Sequence, residues 1–176
     1  RSLDHSKEYN YGNVWEKEDF PGWARLKIGA EDNEVSLILS LCRDFQGPFG
    51  LLWVLQISQA GNEPGRYQWP DPLSHCELSN LLERFCDFIE QDGRHHVWVM
   101  SCSDEGQFIY DNHNMVFAYG DLERYAKKLA EKGFVQGTIQ IPAPHSHNYH
   151  PEFENTEREM MNAGQWLKFP LEEGDL

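Results

Sequence analysis

The 176-residue sequence is short of positive charge, because 15 Lys and Arg side chains stand against 29 Asp and Glu side chains, which gives a formal net charge of -14. Affinity for nucleic acids depends largely on Lys and Arg side chains that neutralise phosphates, so this balance disfavours a nucleic-acid partner. The same charge speeds encounter with a basic protein. We therefore expect no nucleic-acid binding, and a basic protein is the candidate partner.

Long apolar runs are also missing. No stretch approaches the roughly 20 apolar residues that cross a bilayer, and residues 1–10 are polar and lack the apolar core of a signal peptide. We therefore expect no membrane contact and a cytoplasmic location. The share of hydrophobic residues, 40%, and of aromatic residues, 13%, excludes disorder as the main state. The length fits one domain with its own core.

Several signatures of catalysis are absent. None of the four cysteines forms a Cys-x-x-Cys pair, which disfavours zinc knuckles and thioredoxin-like redox chemistry. There is no Gly-x-Ser-x-Gly elbow, no glycine-rich phosphate loop followed by lysine, and no dinucleotide fingerprint. Common hydrolase, kinase and dehydrogenase chemistries are thereby disfavoured. The sequence predicts no catalytic residues of these classes and no cofactor.

Hydrophobic periodicity predicts an α+β fold. Apolar and polar residues alternate over 35–42, which indicates a strand with one buried face, and the apolar run 51–58 is expected to pair with it. Further short runs are separated by turn residues, as in an antiparallel meander. The predicted strands cover residues 23–28, 35–42, 51–58, 96–101, 107–111, 115–119 and 134–141.

Two helices stand out between these strands. Ser74 precedes Glu77 at the spacing of a capping box, and apolar residues follow at helical spacing as far as Ile89. Asp121 is predicted to cap the second helix, which Gly133 ends. The resulting order, βββα-βββα-β, predicts a mainly antiparallel sheet of about six or seven strands with two principal helices on one face.

The chain is predicted to be a single domain, 1–176, in three parts. Residues 1–20 show no periodicity and are expected to form an irregular N-terminal arm, while 21–141 form the α+β core. Residues 142–176 are the C-terminal arm, rich in His and Glu. Within this arm we expect a helix over 152–162 with its carboxylates in solvent, a docking segment, and a solvated acidic end.

A histidine cluster in the C-terminal arm is the sharpest local feature. His145, His147 and His150 precede Glu152, and these side chains supply the donors that Zn, Fe or Mn accept. His145 and His147 would share one side of an extended segment, and approach of His113 would complete a three-histidine site. The alternative is that these histidines are ordinary surface or interface residues.

The segment 61–73 is a second candidate site. Its content of Gly and Pro is predicted to exclude regular structure. It carries Arg66, Tyr67 and Trp69, a composition typical of interface hot spots, which makes these three residues the candidate partner-binding set. Alternatively, Tyr67 and Trp69 fold back and cover one end of the sheet.

Taken together, the acidic charge and the missing catalytic motifs favour a non-enzymatic binding protein of the bacterial cytosol. Its expected partner is a basic protein, and an immunity protein that neutralises a toxin is one concrete form of this hypothesis. Two alternatives stay open. One is a metal-dependent enzyme using the histidine cluster. The other is a small-molecule-binding module with a pocket between sheet and helices.

Overall fold

A computed structural model of the protein describes residues 10–141, 147 and 149–175. Over these residues the chain forms nine strands and five α-helices. The strands are β1 (Val14–Phe20), β2 (Trp23–Gly29), β3 (Phe49–Leu55), β4 (Gly65–Gln68), β5 (His95–Ser101), β6 (Gln107–Tyr110), β7 (Met115–Tyr119), β8 (Val135–Gln136) and β9 (Leu167–Phe169). The helices are α1 (Glu34–Cys42), α2 (His75–Arg84), α3 (Cys86–Gln91), α4 (Leu122–Glu131) and α5 (Glu154–Met161).

All nine strands belong to one sheet, in the order β8-β1-β2-β7-β6-β5-β3-β4-β9. Every neighbouring pair is antiparallel except β1 and β8. Alternate strand residues such as Trp53, Val97 and Phe108 point into a core that also contains the apolar side chains of the helices. The α+β class is therefore confirmed, and the sheet has more strands than the six or seven expected.

Residues 34–42 form a helix, so the strand predicted over 35–42 is wrong. Nearly every side chain of α1 is buried, including the polar Glu34 and Ser40. In a helix that is buried on all sides, apolar residues need not be confined to one face. The hydrophobic periodicity of a short apolar segment therefore does not distinguish a helix from a strand. One amide of its first turn, which has no acceptor within α1, is satisfied by a different helix, because Val35 N–H donates to the Glu90 carboxylate at 2.8 Å.

Both predicted helix starts are confirmed. Ser74 and Glu77 form the reciprocal hydrogen bonds of a capping box at the start of α2. The Asp121 carboxylate accepts from the backbone N–H of Arg124 at the start of α4. The helix expected to run on to Ile89 is instead divided into α2 and α3, because the backbone leaves the helical region at Phe85.

Two segments that were predicted to be irregular contribute strands. The N-terminal arm contains β1, which pairs with β2 along its whole length. The segment 61–73 contains β4, which pairs with β3 and β9. Pro64 and Pro70 lie just outside its four paired residues, so they bound the strand without removing a donor from the ladder. The strand predicted over 134–141 is shorter than expected, since only Val135–Gln136 pair.

The C-terminal arm docks on the core through α5 and β9. Met160 of α5 is fully buried, and β9 extends the sheet next to β4. Glu157 of the same helix is also fully buried, so the prediction that the carboxylates of this helix lie in solvent is wrong there. Asp175 is only 2% exposed, and the prediction of a solvated acidic end is wrong at that residue. Both carboxylates are buried because each meets an arginine.

The arginine that meets Glu157 is Arg94, which is itself fully buried at the start of β5. Its Nη1 lies 2.6 Å from Glu157 Oε2 and its Nε lies 2.7 Å from Asp92 Oδ1. Burial alone would raise the pKa of Glu157, but hydrogen bonds from Ser58, Asn62 and Arg94 hold that pKa below its ordinary value. This network joins α5 to the core by ionic contacts that exclude water.

Candidate functional site

Of the four predicted metal ligands, the structure describes His147, His150 and Glu152. His145 lies outside the described residues. His147 Nδ1 lies 3.0 Å from the Asn112 carbonyl oxygen, whereas His150 Nδ1 lies 3.6 Å from Glu152 Oε1. Over the part of the chain that the structure describes, no three His, Cys, Asp or Glu side chains converge to hold a metal ion.

His113 nevertheless lies beside His147, an approach that the sequence left open. The rings of His113 and His147 meet edge to face, with their centroids 4.9 Å apart. His113 Nδ1 lies 3.1 Å from Asp111 Oδ2. Oxygen acceptors at both Nδ1 atoms favour the tautomer with its proton on Nδ1 and its lone pair on Nε2, the arrangement that orients histidines in metal sites. Two of the three histidines of that site are thus in contact, while His145 lies outside the described residues and a three-histidine site stays a prediction.

The three predicted partner-binding residues lie in different surroundings. Tyr67 is 5% exposed, and its ring packs on Trp53 in the core, with centroids 5.6 Å apart. Trp69 packs edge to face on Trp166 of the C-terminal arm. Both side chains thus cover one end of the sheet, which was the alternative interpretation. Arg66 points to the opposite face of β4, and a partner-binding role for the set stays a prediction.

An acidic cleft lies where the turn after β2, the end of α3 and the β6–β7 turn meet. It has a volume of about 380 Å³. Among the described residues that line it there is no Lys or Arg. Four carboxylates line it, from Glu31, Asp32, Glu34 and Glu90, together with the side chains of His113 and Asn114. We call this site the acidic cleft.

Two of these carboxylates are held in an environment that disfavours their negative charge. Burial raises the pKa of Glu34 to about 7, and the neighbouring Glu90 carboxylate adds to the rise, while a hydrogen bond with Asn114 opposes it. Burial also raises the pKa of Glu90, although the Val35 N–H that it accepts lowers it. A cationic group in the acidic cleft would stabilise both ionised carboxylates.

Sequence reasoning missed this cleft. Residues 31–34 form the run Glu-Asp-Asn-Glu, which directly precedes the segment that the sequence predicts to be a strand. Once α1 is known to be a helix, this acidic run lies at its N-terminus, where carboxylates are favoured. Glu90 lies 56 residues further on, and its place beside Glu34 depends on the contact between α1 and α3. Only the acidic run carried a local signal.

Comparison of the chain with protein-family models, with curated proteins and with solved structures finds no match. Among the described residues, no helix is both long enough and apolar enough to span a membrane. The structure therefore defines an α+β protein with an acidic cleft, and any function must be inferred from that geometry.

Proposed function

We infer that this is a non-enzymatic binding protein of the bacterial cytosol whose acidic cleft takes a basic side chain of a protein partner, in the manner of an immunity protein with its toxin. The observation that supports this role is the position of Glu34, which is buried, and Glu90, which is half-buried, in a cleft whose described lining contains no Lys or Arg. A Lys or Arg side chain from a partner supplies the missing counter-charge.

The surface around the acidic cleft extends the same charge. Glu31 and Asp32 are exposed at its rim, and the exposed Asp87 of α3 lies close enough to Glu90 to help raise the pKa of that carboxyl group. Exposed charges of this kind raise association rates and set the salt dependence, whereas a buried pair contributes more to slow dissociation. The rim therefore attracts a basic partner and the buried carboxylates of the acidic cleft retain one of its side chains.

Neutralising the rim tests this role. We expect the double variant Glu31→Gln with Asp32→Asn to bind a fluorescent tetra-arginine peptide about five- to tenfold more weakly at low salt, because two exposed attractive charges are lost. Fluorescence anisotropy at several salt concentrations measures the affinity. The matched control is Glu123→Gln with Glu131→Gln, which removes the same charge from exposed positions on α4. Equal weakening in both variants, or no binding to the natural protein, would contradict a specific cleft.

Glu34 adds a pH dependence to the same binding. As pH rises through about 7, this carboxyl group loses its proton and the acidic cleft gains negative charge. Affinity for the peptide is therefore expected to rise between pH 6 and pH 8, and Glu34→Gln should reduce that rise. His113→Asn measures the part that the imidazole in the cleft contributes. An unchanged pH profile in Glu34→Gln would show that the peptide binds elsewhere.

A metal-dependent enzyme is the alternative, and the contact between His113 and His147 is the observation that favours it. These two histidines would supply nitrogen ligands to Zn, Fe or Mn, which would activate water at an open coordination position. Elemental analysis of protein purified without a His tag tests this alternative. Stoichiometric metal that is lost in His147→Ala supports it, and metal-free protein contradicts it.

A further inference from the structure

An apolar groove crosses the face of the sheet opposite the helices. Its floor is made by Leu52, Trp98 and Met100, which alternate along β3 and β5 with core residues and therefore point away from the core. Leu52 and Trp98 are direct cross-strand partners. Phe169 and Pro170 of the C-terminal arm form one wall, and the groove has a volume of about 380 Å³. The small-molecule alternative that the sequence left open placed its pocket between sheet and helices, on the other face.

Arg66 is the one cation among the described residues that line this groove. Its guanidinium carbon lies 5.2 Å from the centroid of the Trp98 ring. One edge of the guanidinium faces the buried Asp175, with Nε 3.7 Å from Oδ2. On its other side, Nη1 lies 2.5 Å from Glu172 Oε1. Arg66 is thus fixed in position by the sheet and by Asp175, and it already holds a second carboxylate at the groove.

That second carboxylate is replaceable. The Glu172 side chain is 71% exposed, and an exposed ion pair contributes little to stability. The backbone of this segment has a separate anchor, because Glu172 N–H donates to Asp175 Oδ2 at 2.7 Å. The Glu172 side chain can therefore leave Arg66 while the end of the chain stays folded.

We propose that this groove binds an apolar monocarboxylate, whose carboxylate takes the place of Glu172 on Arg66 and whose hydrocarbon part lies on Trp98 and Met100. When Glu172 turns into solvent, Arg66 keeps one carboxylate at the groove, now from the ligand, and Asp175 on its other side. The ligand also removes apolar surface of the groove from water, which Glu172 does not do. The guanidinium of Arg66 cannot pair with an ammonium group, since both are positively charged. An apolar alcohol is uncharged and cannot accept the same charge-assisted hydrogen bond from Arg66.

Decanoate below its micelle concentration is the probe, and isothermal titration calorimetry on the full chain is the measurement. We expect Glu172→Gln to tighten binding about three- to fivefold, because the competing carboxylate is removed. Arg66→Gln is expected to weaken binding at least about tenfold, since an ionic hydrogen bond is lost. Glu173→Gln is the matched control, with the same change of charge at an exposed neighbour outside the groove.

Two further measurements locate the ligand and test the role of its charge. Decan-1-ol should bind at least about tenfold more weakly than decanoate. The indole N–H resonance of Trp98, assigned with Trp98→Phe, should shift on titration. Binding of decanoate to Glu172→Gln but not to the natural protein also supports the groove, since it shows that Glu172 competes with the ligand for Arg66. Absence of binding to both proteins, equal binding of alcohol and acid, or equal effects of Glu172→Gln and Glu173→Gln would overturn the proposal.

Discussion

Replacing Arg94 by methionine is expected to lower the free energy of unfolding by about 3–5 kcal/mol, because two buried carboxylates would lose their counter-charge. Asp92 and Glu157 both have fully buried side chains in contact with Arg94. Methionine fills a similar length but offers no donor, so both carboxylates must either stay unpaired or take up protons. Urea unfolding at pH 7 measures the loss.

The same variant should also loosen the C-terminal arm. Arg94 contacts Glu157 of α5, and its Nη2 donates to the His150 carbonyl oxygen at 3.1 Å. Limited proteolysis is therefore expected to cut near α5 faster in Arg94→Met than in the natural protein.

Arg84→Met is the matched control for this prediction. Arg84 also contacts α5, through a 3.8 Å ion pair with Glu159, but its side chain is 57% exposed. Removing an exposed pair should change the free energy of unfolding by less than about 0.5 kcal/mol. Equal effects of the two substitutions would show that burial of the Arg94 network adds nothing to stability.

The sequence predicted best what depends on neighbouring residues. The Ser74 and Glu77 capping box and the Asp121 cap are interactions over three residues, so their spacing was sufficient. The fold class followed from the alternation of such local elements. Segment 35–42 was predicted wrongly because a helix that is buried on nearly every side shows no 3.6-residue pattern of apolar residues. Its helical structure depends on its burial among other elements, which the local sequence does not reveal.

The candidate sites depend on contacts between residues distant in sequence. Glu34 meets Glu90 across two helices, and Arg66 meets Glu172 more than 100 residues further along the chain. Composition indicated the acidic charge but not its concentration in a cleft. Glu157 shows the same limit, because its expected place in solvent followed from its neighbours on α5, whereas its burial follows from Arg94 on β5.

His95 is expected to make the fold sensitive to acid. The residue is 1% exposed, and its ring packs on Phe88, with centroids 4.5 Å apart, and on Trp53. Among the residues that the structure describes, neither ring nitrogen has a hydrogen-bond partner of good geometry, although the Ile89 backbone is close enough to affect its pKa. Burial lowers the pKa of His95 to about 4, and the positive charge of Arg94 lowers it further, while Asp92 opposes the shift. The folded protein therefore holds this imidazole neutral.

The unfolded chain binds a proton at His95 below about pH 6.5, whereas the folded protein binds it only near pH 4. The stability linked to this group is therefore complete above about pH 6.5 and is lost as pH falls toward 4. The loss amounts to about 3 kcal/mol, at 1.36 kcal/mol for each unit of pKa. His95→Phe keeps a ring in the site and should be more stable than the natural protein at pH 4 by about that amount.

Urea unfolding of both proteins between pH 4 and pH 8 measures this difference. At pH 7 we expect the two stabilities to agree within about 1 kcal/mol, because the described residues give His95 no hydrogen bond of good geometry that phenylalanine would remove. Glu34→Gln provides a control of opposite sign. The raised pKa of Glu34 in the natural protein makes the stability linked to this group decline as pH rises from about 4.5 to 7. Glu34→Gln should therefore gain stability relative to the natural protein at pH 8. If the free energy of unfolding falls between pH 6.5 and pH 4 as steeply in His95→Phe as in the natural protein, the loss of stability in acid originates in other groups.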